Sequence, residues 1–126
     1  MDRAFTNVLS QNVDVAATFY QELLGMERHF NSNWFVILTH PNNPGFEFGI
    51  LAKDHEVVPP NLRKESGGSI QTFVVADVDQ VYLKAKQLGA EILQVPTDMP
   101  YGQRRLLLLD TDGATLDVSA PVAVIL

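Results

Sequence analysis

"NVDVAATFYQELLGME", residues 12–27, reads as an amphipathic helix that begins at an acid and stops at a glycine. Val15, Thr18, Phe19 and Leu23 follow helical spacing. Asp14 sits where a negative charge favours the N-terminal end of the helix dipole, and Gly25 sits just past the end, where a left-handed residue is cheapest. The pattern returns at 74–92, "VVADVDQVYLKAKQLGAEI", with Asp79, the stripe Val81, Tyr82, Ala85 and Leu88, and then Gly89. Val13-Asp14 overlays Val78-Asp79, an offset of 65, and Gly25-Met26-Glu27 overlays Gly89-Ala90-Glu91, an offset of 64. A chain that repeats at such a period carries two copies of one supersecondary plan.

Working outward, each helix has one strand before it and three after it. The first set falls near 4–10, 27–31, 34–40 and 46–52, and the second near 69–75, 91–95, 104–110 and 115–120. The fold class is therefore α+β, with two βαβββ modules at about 4–52 and 69–120 in one domain spanning 1–126. The stretch "KDHEVVPPNLRKESGG", 53–68, has Pro-Pro, Gly-Gly, a charge cluster and no period, and reads as the linker. "DTDG" at 110–113 is a hairpin turn signal.

The bulk properties remove several classes of function. A chain of 126 residues can bury a core without staples. A net charge of −6, with no basic run beyond Arg104-Arg105, argues against nucleic acid and against an anionic membrane surface. The absence of cysteine excludes disulfides, thiolate chemistry and cysteine-ligated zinc. No signal pattern opens the chain and no apolar run approaches the roughly 20 residues of a membrane span, so a cytoplasmic protein is expected.

The order of these segments resembles the vicinal oxygen chelate superfamily of glyoxalase I, extradiol dioxygenases and bleomycin-resistance proteins. Residues 12–27 are similar to its first-helix signature, an acid, then Phe-Tyr, then Leu-Gly; residues 74–92 match the second-half segment. "PYGQRRLLLLDTDGATLDV", 100–118, is similar to its closing hairpin. The resemblance implies modules side by side, their strands an open curled sheet around a central cleft, in a homodimer. In metal-dependent members each module supplies a His from its first strand and a Glu from its fourth. Carried onto this chain, those positions are Phe5, Glu47, Ile70 and Asp117. Phenylalanine and isoleucine offer no lone pair, and His29, His40 and His55 have no second His at ligand spacing. No metal and no cofactor are expected.

Strand alternation assigns the faces independently. Phe46, Phe48 and Ile50 oppose Glu47, Gly49 and Leu51; Leu116 and Val118 oppose Asp117 and Ser119. Val8, Phe73 and Val75 oppose Phe5, Asn7, Leu9, Ile70, Thr72 and Val74. With the apolar sides under the helices, Phe5, Asn7, Glu47, Ile70, Thr72 and Asp117 line the cleft. One of Trp34 and Phe35 must join them, and Trp34 suits the cleft mouth because its indole tolerates a wet edge. Tyr101 is placed to close over a ligand. Arg104 is placed to hold a ligand carboxylate or to pair with Glu47 or Asp117, and Arg105 points away.

Three functions fit these residues. The first is a metal-free binding protein that sequesters an antibiotic or a related aromatic or cationic metabolite, like the bleomycin-resistance branch. The second is a metal-independent isomerase or cyclase in which Glu47 or Asp117, with a raised pKa, moves protons. The third is a degenerate metal enzyme of glyoxalase or dioxygenase type that uses the two carboxylates with Asn7 and Thr72. The expected partners are a small molecule and a second copy of the chain, with the apolar tail "PVAVIL" available to that contact.

Overall fold

The computed structural model describes residues 1–64 and 67–122. The chain divides into two compact units, Met1–Ser66 and Gly67–Leu126. In the first, β1 (Thr6–Ser10), α1 (Val13–Leu24), β2 (Glu27–Asn31), β3 (Phe35–His40) and β4 (Asn43–Ala52) form a four-stranded sheet ordered β1-β4-β3-β2. In the second, β5 (Ile70–Val74), α2 (Val78–Gln87), β6 (Ile92–Asp98), β7 (Gln103–Leu109) and β8 (Thr115–Pro121) repeat the plan as β5-β8-β7-β6. β1 runs parallel to β4 and β5 parallel to β8, while the other neighbours are antiparallel. Each unit is thus a βαβββ module with its own mixed sheet.

Both helices begin on a capping side chain. Asn12 accepts from the Val15 amide at 3.1 Å and Asp77 from the Gln80 amide at 3.2 Å, while Asp14 and Asp79 occupy the first turns. Gly25 and Gly89 take φ of 72° just past the helix ends, which only glycine adopts without strain.

The core lies between each helix and one face of its sheet. Ala16, Ala17, Phe19, Tyr20 and Leu23 bury against Val36, Leu38, Phe48 and Ile50, with the Tyr20 and Phe48 rings 4.9 Å apart. Each such fully buried large side chain contributes roughly 1.5–3 kcal/mol. The expected stripe on α1 is rotated: Val15 and Thr18 are exposed, and the two alanines and Val13 take the inner face instead. Val13, Val15, Ala16 and Ala17 leave the spacing at the start of the helix open to two stripes, and the small residues let the backbone approach the sheet. In the second unit Val78 and Ala85 bury against Leu106, Leu108, Leu116 and Val118.

The turn at 110–113 is built by one carboxylate. Asp110 Oδ1 accepts from the amides of Asp112 at 2.8 Å and Ala114 at 2.9 Å, and Gly113 supplies φ of 84°. The stretch after β4 is organised as well. Val58 is buried, a single 3-10 turn spans Pro60–Leu62, and Arg63 donates to the carbonyls of Val58 and His55. His55 stacks on Trp34 at 4.0 Å between ring centroids. Residues 53–64 therefore clasp the first unit. Residues 123–126 of the apolar tail lie outside the described residues.

Candidate functional site

The helix-free face of the second sheet carries Ile70, Thr72 and Val74 from β5, Thr115, Asp117 and Ser119 from β8, and Gln103, Arg105 and Leu107 from β7. Alternation dictates this set once Leu106, Leu108, Leu116 and Val118 are buried under α2. Thr72 stands directly opposite Asp117 and donates its hydroxyl to Asp117 Oδ2 at 3.3 Å. Asp117 Oδ1 is buried with no hydrogen-bond partner among the described residues. Ile70 and Val74 flank the pair on β5 and remain well exposed, and Leu107 stands opposite Asp117 on β7.

The two arginines occupy the reverse of their expected sides. Arg104 shares the parity of Leu106 and Leu108, and its guanidinium bridges Asp79 of α2 at 3.1 Å and Asp98 of β6 at 3.0 Å. Both hydrogen bonds raise its pKa. It ties helix to sheet and pairs with neither Glu47 nor Asp117. Arg105 lies on the Asp117 face, diagonal to that residue through Ser119, and donates to Gln94 at 3.1 Å without an ion pair among the described residues. The expectation that Arg105 points away fails because "RRLLLL" does not alternate; the burial of Leu106 is what sets its parity. Tyr101 projects from the turn before β7 and is 60% exposed.

In the first unit the equivalent face shows a different arrangement. Asn7 is the counterpart of Thr72, and it stands opposite Gly49, as Thr72 stands opposite Asp117. The register therefore makes Gly49, and not Glu47, the partner position of Asp117. Glu47 lies two residues earlier on the same face, and alternation alone cannot tell the two apart. The Asn7 carboxamide fills the space over Gly49: a Cβ there would collide with Asn7 Oδ1 and press on Phe35 at 3.3 Å.

Glu47 is held by the chain itself. Arg3 Nε donates to Glu47 Oε2 at 2.6 Å and Arg3 Nη2 to Oε1 at 2.5 Å. These bonds, opposed by burial and aided by the charges of Arg3 and then His29, keep the Glu47 carboxyl below the usual range. The raised pKa expected of a proton shuttle at this position is not found. Phe5 lies beneath Arg3, 4.9 Å from the guanidinium carbon, and 6.4 Å from the Phe35 ring. Phe35, not Trp34, is the aromatic on this face, because β3 starts at Phe35 and Val36 and Leu38 are buried. Trp34 precedes the strand and turns to His55.

The donor set does not fit the metal that the resemblance implies. Phe5, Gly49 and Ile70 have no ligating atom, which leaves Asp117 alone, and both Glu47 oxygens are engaged. Among the described residues no three His, Cys, Asp or Glu cluster closely enough to hold a metal ion. No described helix is long and apolar enough to cross a membrane.

A sequence model of the Glyoxalase/Bleomycin resistance protein/Dioxygenase superfamily matches residues 4–118. Among solved structures, a protein from Agrobacterium tumefaciens is 26% identical, covering 98% of this chain and 99% of its own, with a TM-score of 0.76. A glyoxalase/bleomycin resistance protein/dioxygenase family enzyme from Burkholderia phytofirmans is 20% identical, with coverage of 97% and 100% and a TM-score of 0.81. A member of the same superfamily from Sphaerobacter thermophilus is 21% identical, with coverage of 95% and 97% and a TM-score of 0.74. No curated protein matches the chain.

Proposed function

The chain belongs to the glyoxalase/bleomycin resistance protein/dioxygenase superfamily, and from that premise we propose that it is a metal-free binding protein for a small molecule. The observation that carries the reading is Asp117. A buried carboxylate oxygen without a partner costs stability, about 1–3 kcal/mol for an unmade hydrogen bond. Such a cost is offset when the Asp117 side chain turns to present that oxygen to a donor on a ligand. The ligand class that meets this need carries an amine, amidinium or amide N–H beside an aromatic or aliphatic body that rests on Ile70 and Val74. An antibiotic or related cationic aromatic metabolite has this chemistry, and sequestering it is the biological role we assign. Arg105, free of any ion pair among the described residues, is placed to donate to an oxygen of the same molecule.

Proton transfer is the weaker reading. Glu47 is fixed as a carboxylate by Arg3, which makes it a poor base. The described residues offer no cluster of three His, Cys, Asp or Glu for the family's metal, which favours the metal-free reading. We extend to this protein the homodimer that the resemblance implies, which light scattering of the purified chain tests directly.

The experiment is a thermal-shift screen with cationic aromatic antibiotics in one arm and divalent metals in the other. A ligand at 100 times its Kd adds about 2.7 kcal/mol. An antibiotic shift that Asp117→Asn reduces supports the reading. Metal shifts alone overturn it.

A further inference from the structure

The first unit holds a polar group that the reading above leaves unused. Arg3 meets Glu47 through Nε and Nη2, one of the two forks of a guanidinium. The other fork, Nη1 with the second Nη2 hydrogen, has no partner among the described residues, and the side chain stays 55% exposed. Three rings run away from it: Phe5 under the guanidinium, Phe35 at 6.4 Å from Phe5, and Phe30 at 5.9 Å from Phe35. Phe5 and Phe30 are 37% and 47% exposed, so this aromatic floor is open. The Asn7 carboxamide and the Phe35 ring both border Gly49 on this sheet.

The Arg3–Glu47 pair uses one fork of the guanidinium and leaves the other facing solvent, beside exposed rings. A cationic ligand is repelled here, because Glu47 is already neutralised and Arg3 is the outermost charge. A neutral aromatic gains stacking alone. An anion gains two parallel charge-assisted hydrogen bonds from a guanidinium that Glu47 has already oriented, so little freedom is lost on binding. We propose that the Arg3 fork, positioned by Glu47 and resting on Phe5, receives the carboxylate of an aromatic acid whose ring extends past Phe5 onto Phe35. Every residue of this site belongs to the first unit.

The test titrates benzoate into the full chain and reads the fluorescence of Trp34, the only tryptophan, whose ring is 5.8 Å from Phe35. Wild type should show a saturable change, with benzamide at least tenfold weaker. Arg3→Gln should weaken benzoate at least tenfold and leave benzamide unmoved. The double variant Arg3→Gln with Glu47→Gln leaves no unpaired carboxylate and should behave as Arg3→Gln does. Asp117→Asn should bind benzoate as wild type does, so a failure of either site is seen separately. A folded double variant with wild-type benzoate affinity, equal binding of benzoate and benzamide, or no saturable change in wild type overturns the proposal.

Discussion

Replacing Asp117 by valine should make this protein more stable and less able to respond to its ligand. The carboxylate stands at the middle of β8 with Oδ1 buried and unpartnered and Oδ2 bonded to Thr72 at 3.3 Å. Removing the orphaned oxygen returns about 1–3 kcal/mol. Losing the long Thr72 bond costs up to about 1 kcal/mol, since a hydrogen bond weakens as it lengthens. Valine suits a strand and meets Leu107 across β7 and Ile70 diagonally on β5, so no polar atom is stranded in its place. The net expectation is a gain of about 1 kcal/mol, or a rise in Tm of roughly 3–5 °C for a chain of this size. Urea unfolding of the two proteins measures it, with m-values compared to confirm the same transition. In the same samples the antibiotic-induced thermal shift should vanish. A loss of 1 kcal/mol or more in Asp117→Val would show that the carboxylate is an internal tie, and the ligand argument built on it would fail.

Gly49→Ala should destabilise by about 1–3 kcal/mol through its collision with Asn7 and Phe35, whereas in an Asn7→Ala background the same change should be neutral or stabilising; a double-mutant cycle by urea unfolding reads the coupling. Glu47→Gln should lower Tm at neutral pH and not in acid. The folded-state carboxyl of Glu47 is depressed by Arg3, so its contribution is present above the ordinary carboxylate range and is lost as pH falls through the depressed value. Melts of both proteins from about pH 7 to about pH 2 should therefore converge. Arg104→Ala should free Asp79 and Asp98 and speed amide exchange in the first turn of α2 and at the end of β6, while the ligand-induced shift is retained.

The parts legible in the sequence were those fixed by local chemistry. The repeat, both helices with their first-turn acids and closing glycines, and the Asp110 turn rest on chemistry that acts within about one turn of chain. The misreadings share one cause, parity and register that only a neighbouring strand supplies. Glu47 and Gly49 lie on one face, and Asn7 opposite Gly49 is what separates them. Arg104 and Arg105 exchange sides because four leucines follow them and the burial of Leu106 decides between two equal readings. Arg3 went unnoticed because nothing in a short N-terminal stretch signals a partner 44 residues away.

The parallel pairs set how this chain must fold in time. Thr6 joins Phe48 and Ile70 joins Thr115, separations of 42 and 45 residues, so each sheet closes its parallel edge last and at the greatest loop-closure cost. Each closure pairs two strands of the same unit. A ribosome that has released the chain as far as Lys64 has therefore exposed every element of the first sheet together with its clasp, while the second exists as nothing. Two slow steps, one per unit, should succeed each other during synthesis, and refolding of the whole chain from denaturant should show two kinetic phases. A variant that slows the pairing of β5 with β8 should change only the later one.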